Sequence, residues 1–189
     1  MWAAWLLAFA GIAFGASTPA EVNAAFGVDF FCDENLWDDD ATILAQKLAW
    51  PLESQTSTDL SYRQYPVSSQ RVLVCRSYSN ALYGEDGHVS AISLLFANKG
   101  DAVGSLKEAA RAREAREVKS QIRDYKKSIL EDKKNLTLVL MKLFGAPVPD
   151  RFGEGRQTTE LVKRWDWNGH AFLLAAPRDE YVALRILPV

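Results

Sequence analysis

Residues 82–101 read LYGEDGHVSAISLLFANKGD, and this stretch decides the fold class. Glu85-Asp86-Gly87 is a tight-turn signal between two extended runs. After it, Ile92, Leu94 and Phe96 alternate with Ala91, Ser93 and Leu95, the period of two that a half-buried strand requires. The run ends at Asn98-Lys99-Gly100-Asp101. Upstream, Arg71 to Val74 supplies β-branched residues and Tyr78 to Tyr83 continues the strand. The C-terminal quarter repeats the logic: Trp165-Asp166-Trp167 leads into Asn168-Gly169, the strongest short hairpin signal. His170, Phe172 and Leu174 then alternate away from the turn, and Tyr181 to Leu187 forms another strand after Pro177 to Glu180. Antiparallel hairpins follow from these signals.

Helical spacing appears twice. Ile43, Leu44, Lys47, Leu48 and Trp50 follow Asp38-Asp39-Asp40, which predicts a short helix over about residues 40–50 with acids at its start, where the helix dipole favours them. Pro51 stops it. Ser105-Leu106-Lys107-Glu108 matches a capping box, and Val118, Ile122, Tyr125, Ile129, Leu136, Val139 and Leu143 keep three/four spacing through a stretch without Gly or Pro, so a helix is predicted over 105–144. A helix of that length would run about 60 Å. It must therefore protrude, pair with another chain, or break around Lys133-Lys134-Asn135. Glu53 to Ser69 reads as a loop with one short strand at Tyr62 to Tyr65, and Gly145 to Gly155, with Pro147 and Pro149, reads as a linker.

The predicted architecture is α+β, antiparallel hairpins packed on one short and one long helix in a single domain over residues 25–189. Asp86-Gly87-His88-Val89 and Asn168-Gly169-His170-Ala171 occupy matching places after a helix, which suggests two similar halves, 36–101 and 136–189, joined by helix 105–144. Turn geometry reuses Gly without any duplication, so coincidence is the competing reading. Leu73, Ile92, Leu94, Phe96, Phe172, Leu174, Leu184 and Ile186 are the predicted core.

The 189 residues carry 22 Lys and Arg against 24 Asp and Glu, with 48% apolar residues, which excludes collagen-like and low-complexity chains. Residues 2–16, WAAWLLAFAGIAFGA, hold no charge and are too few to span a bilayer. Ala13 and Gly15, or Ala8 and Ala10, give the small-residue spacing of a signal-peptidase site, so residues 1–16 read as a secretory signal with cleavage near 15–24. No Lys or Arg precedes them; a buried N-terminal helix is the alternative. The mature chain is expected to be secreted or periplasmic, without stable membrane insertion. Residues 1–46 carry seven acids and no base.

Export makes a Cys32–Cys75 disulfide the simple expectation; two buried thiols is the other reading. Cys32 or Cys75 with His88 or His170 would also furnish a Cys-His nucleophile pair. Both histidines follow a turn glycine and read as solvent-facing. No G-x-S-x-G, H-E-x-x-H, Walker A or G-x-G-x-x-G occurs, the Cys and His lack zinc spacing, and no cofactor is implied. The bases of helix 105–144 are mixed with acids, a solvated face rather than a nucleic-acid site, while its apolar seam could carry self-association. Trp37, Trp165 and Trp167 are the candidate binding residues, since aromatics dominate interfaces; a core role is the competing reading.

Leu36 to Pro66, LWDDDATILAQKLAWPLESQTSTDLSYRQYP, together with Val89 to Asp101, VSAISLLFANKGD, resembles the N-terminal region of secreted bacterial proteins that carry a C39-like, papain-type cysteine peptidase domain further on. The resemblance covers about a quarter of the chain. It implies an ancillary, prodomain-like region whose partner is a protein or that peptidase domain, which is absent from these residues, and it assigns no catalytic residue. The expected function is a non-catalytic binding or accessory module, with a Cys-His hydrolase as the alternative.

Overall fold

A computed structural model describes residues 17–28, 35–66, 71–96, 115–152, 160–176 and 181–189. Three helices are described: α1 (Pro19–Phe26), α2 (Ala41–Lys47) and α3 (Ala115–Phe144). The strands are β1 (Leu52–Gln55), β2 (Asp59–Gln64), β3 (Arg71–Val72), β4 (Cys75–Glu85), β5 (His88–Phe96), β6 (Val148–Phe152), β7 (Glu160–Trp167), β8 (His170–Ala175) and β9 (Val182–Pro188). All pair antiparallel in the order β1-β2-β4-β5-β9-β8-β7-β6, with β3 hung on β4. This is the expected α+β class.

The sheet consists of two four-strand meanders, one after α2 and one after α3, that meet along β5 and β9. The Gly-His turns fall on different hairpins of the two meanders, β4–β5 in the first and β7–β8 in the second. Both turns have the same backbone form: Asp86 (φ 50°) with Gly87 (φ 88°), and Asn168 (φ 48°) with Gly169 (φ 76°), place two successive left-handed residues in each two-residue loop.

Residues opposite one another in an antiparallel sheet share a face. One rung on the covered face runs Tyr62, Leu82, Ile92, Ile186, Phe172, Trp165, and every member is buried. All eight residues of the predicted core are buried. Helix α3 packs on β4, β7, β8 and β9, and α2 on β4. Ile129, Leu136 and Leu140 of α3 are buried in this core, with Val139 and Leu143 packed against it. The helix is unbroken at Lys133-Lys134-Asn135. Its predicted start at Ser105 lies outside the described residues.

The opposite face carries Arg63, Ala81, Ser93, Arg185, Leu173, Arg164 and Val148 on one rung. Arg63 is paired with Glu53 at 2.6 Å, and Arg164 with Asp150 at 3.1 Å and Asp166 at 2.7 Å.

Three elements differ from the sequence reading. Helix α1, capped by Thr18 and Glu21 in a reciprocal box with Pro at its start, buries Val22 and Phe26. The stretch read as a loop at 53–69 contains the hairpin β1–β2, and the stretch read as a linker at 145–155 contains edge strand β6. Among the described residues no helix is long and apolar enough to cross a membrane.

Candidate functional site

Both Gly-His turns emerge at the same end of the sheet. Glu85 pairs with His88 and Trp167 with His170, while the register of β5, β9 and β8 (Ile92↔Ile186, Phe172↔Ile186, His170↔Pro188) sets the first turn about two residues further out than the second. Residues 35–41 lie across them. The Gly87 carbonyl accepts from the Ala41 amide (2.9 Å), the Asp39 carbonyl accepts from the Val89 amide (3.1 Å), and His88 Nδ1 meets the Asp38 carbonyl at 3.0 Å. On the second turn, Trp37 Nε1 donates to the Gly169 carbonyl at 3.1 Å, and the indole stands edge-on to His170 at 5.3 Å. The acidic triplet therefore does two local jobs: its backbone ties down the first turn, and Asp40 Oδ1 caps α2 through the amides of Thr42 and Ile43.

Glycine at position 84 permits this closeness. A Cβ there would stand 2.7 Å from Ala41 Cβ and 3.3 Å from the His88 carbonyl. Any side chain would wedge α2 off the sheet.

His170 is 0% exposed, which corrects the solvent-facing reading. As the first residue of β8 it shares a face with Phe172 and Leu174, and that face is the covered one. Its ring stacks on Trp167 at 6.1 Å and lies 6.2 Å from Phe172. Burial holds its pKa below the ordinary imidazole value of 6.5. His88, in contrast, is exposed, as expected.

Of the three candidate binding tryptophans, Trp165 lies in the core and Trp37 and Trp167 are partly buried against it. Trp165 is 2% exposed and donates Nε1 to the Gly145 carbonyl at 3.0 Å. Trp167, half-buried, donates to the Ser17 carbonyl at 3.0 Å and packs on Phe144 at 5.6 Å. Ser17 in turn donates Oγ to the Leu143 carbonyl at 2.7 Å, so the start of α1 is fastened to the end of α3. Every indole N–H of the three is satisfied within the protein.

Cys75 stands at the other end of the sheet. It opens β4 while His88 pairs with the last residue of that strand, ten positions on, so about 33 Å of extended chain separates them. Its thiol is a free, buried one, 3.8 Å from the Asp132 carbonyl. Burial, and next the Asp132 charge, push its pKa up to about 12. That is the reverse of nucleophile activation. Cys32 lies outside the described residues, and with it both the Cys32–Cys75 bridge and any pairing of Cys32 with His88 or His170. Among the described residues no group of His, Cys, Asp and Glu could hold a metal ion.

A pH dependence arises from His170. Its folded-state pKa is depressed, so below the unfolded value of 6.5 the unfolded chain binds more protons than the native one, and stability falls with pH. The contribution is fully present above pH 6.5 and is lost as pH drops toward the folded pKa. Urea unfolding of the wild type at pH 7 and pH 5.5 is expected to show this loss, and His170→Gln to show a flatter difference. Equal differences in the two proteins would assign the acid sensitivity elsewhere.

Sequence reasoning found the two turns but not the segment that joins them. Trp37 just ahead of an acidic triplet carried no periodic signal, because its contacts are to backbone atoms far away in sequence. No family model, no curated protein and no solved structure matches the chain.

Proposed function

We propose that the chain is an exported, non-catalytic binding or accessory module, secreted or periplasmic, that works by docking to another molecule, with a protein partner such as a peptidase domain the partner the sequence suggests. The observation that carries this reading is the separation of chemistry along the sheet. The inert Cys75 thiol lies at one end, and both histidines are engaged as turn supports at the other, about 33 Å away along β4. A Cys75-His hydrolase has no geometry to work with.

Export is supported by the uncharged stretch 2–16 and by the contacts made directly after it. Thr18 caps α1, Ser17 is bonded on both sides, and Val22 and Phe26 are core. Within the cleavage window of 15–24, a cut beyond Ala16 would strip some or all of these contacts. The native chain is therefore expected to begin at Ala16 or Ser17, which intact-mass measurement reads directly; a chain beginning at Met1 in the cell interior would overturn export. The non-catalytic half has its own test. Iodoacetamide at pH 8 should leave Cys75 unmodified in the native protein and alkylate it fully in guanidinium, whereas rapid native alkylation would restore a reactive thiol.

A further inference from the structure

At the end of the sheet remote from the Gly-His turns, β3 and β4 form a ribbon whose outer face has an unusual composition. Arg71 and Arg76 are directly opposite in its register, and both are exposed. Like charges in that relation repel. Among the described residues neither is in an ion pair, and the sequence from Leu60 to Gly84 holds three arginines and no acid. Tyr78, two positions after Arg76 on the same side of the strand, is 41% exposed. It meets Tyr65, 67% exposed, edge-to-face at 6.3 Å.

The tip of the ribbon is stranger. Leu73 (φ 50°) and Val74 (φ 67°) make a left-handed two-residue turn without a glycine. A β-branched residue there is strained, and such strain clusters where it serves a function. Leu73 is buried, with its amide donating to the Ala25 carbonyl at 3.0 Å, which leaves Val74 to project, 56% exposed. Arg71 Nη1 donates to the Val74 carbonyl at 3.0 Å and so ties the charge to the apolar tip.

From this juxtaposition we propose that the ribbon is a peripheral docking site for an anionic lipid surface. Val74 enters among the headgroups, Tyr65 and Tyr78 lie at the interface, and Arg71 and Arg76 take the lipid phosphates, whose negative charge relieves their mutual repulsion. Charge complementarity favours this occupant, and an apolar tip flanked by amphipathic rings gives every member of the patch a role. The inference rests on the reading of the chain as a binding module and adds a lipid surface to its partners. Export is tested by the native N-terminus and lipid docking by vesicles, so either can fail alone.

The test is co-sedimentation of the chain as isolated from cells with vesicles of phosphatidylglycerol and phosphatidylcholine in equal parts, against pure phosphatidylcholine, at low and high salt. Binding is expected to the anionic vesicles alone and to disappear at high salt. The pure phosphatidylcholine arm separates it from partitioning of an uncleaved leader. Arg76→Gln should bind about fivefold more weakly, and Arg71→Gln with Arg76→Gln about twenty-five-fold. Val74→Gly gives the sharpest comparison, because glycine accepts the positive φ: it should melt at a higher temperature yet bind about fivefold more weakly. Absence of binding to the anionic vesicles, or wild-type binding by both Arg76→Gln and Val74→Gly, would overturn the proposal. So would capture by poly-L-glutamate without vesicle binding, which would mark an acidic polypeptide site, or a mass that rises with concentration and falls in the double variant without vesicle binding, which would mark a second copy.

Discussion

Phe172→Ala should destabilise the protein by about 4 kcal/mol, the range for emptying a fully packed aromatic site. The ring is wholly buried in the middle of the covered face, stacked on Phe144 at 4.6 Å and in contact with Phe26 at 5.8 Å, Trp167 at 6.5 Å and His170 at 6.2 Å. These neighbours come from α1, α3, β7 and β8. Truncation thus removes the point at which four elements meet, and no single one of them can move in to fill the space. Urea denaturation should show the midpoint lower by about 2 M for a slope near 2 kcal/mol per M. Phe172→Leu, which keeps most of the volume, should lose less than half as much. A loss under about 1.5 kcal/mol for the alanine variant would mean that the site collapses readily and that the aromatic cluster is not the keystone of the core.

Gly84→Val should cost about 3 kcal/mol by overpacking. The clash is with Ala41 Cβ and the His88 carbonyl, so the strain falls on the contact between α2 and the first Gly-His turn. The amides of Ala41 and Val89, which donate to Gly87 and Asp39, should lose protection in hydrogen exchange before the rest of the sheet does. A compensating pair isolates the cause: Gly84→Ala alone should destabilise, and Gly84→Ala with Ala41→Gly should recover part of the loss, a coupling that a double-mutant cycle measures. Strict additivity of the two changes would place the cost somewhere other than this contact.

The legible strands carried either unequal burial of their two faces or a strong turn signal beside them. In β5, Ile92, Leu94 and Phe96 are buried while Ser93 and Leu95 are only partly so, whereas β8 is buried on both faces and was legible through the Asn168-Gly169 hairpin signal that precedes it. Strand β1 was not legible because all four of its residues are exposed at the sheet edge, so nothing selects apolar side chains there. Strand β6 was hidden by Pro149, which an edge strand tolerates and a central one does not. Helix α1 was obscured by its position directly after the apolar stretch 2–16, although Thr18, Pro19 and Glu21 spell out its start.

The site was half legible. Both glycine turns were read, yet His170 was assigned to solvent from its neighbour Gly169 when its parity with Phe172 pointed inward. Trp165 and Trp167 share that parity, one turn earlier: Trp165 is core and Trp167 packs against it half-buried. Trp37 and the arginine pair depend on tertiary placement: a tryptophan that binds a carbonyl more than a hundred positions away, and two cations opposed only once the ribbon folds.

The seam between β5 and β9 has a bearing on biogenesis. The ribosome delivers Ile92 long before Ile186, so a nascent chain holds the apolar flank of its first meander open until the final strand has been made. The time for which that flank stands open during synthesis would then bear on how much chain reaches the folded state.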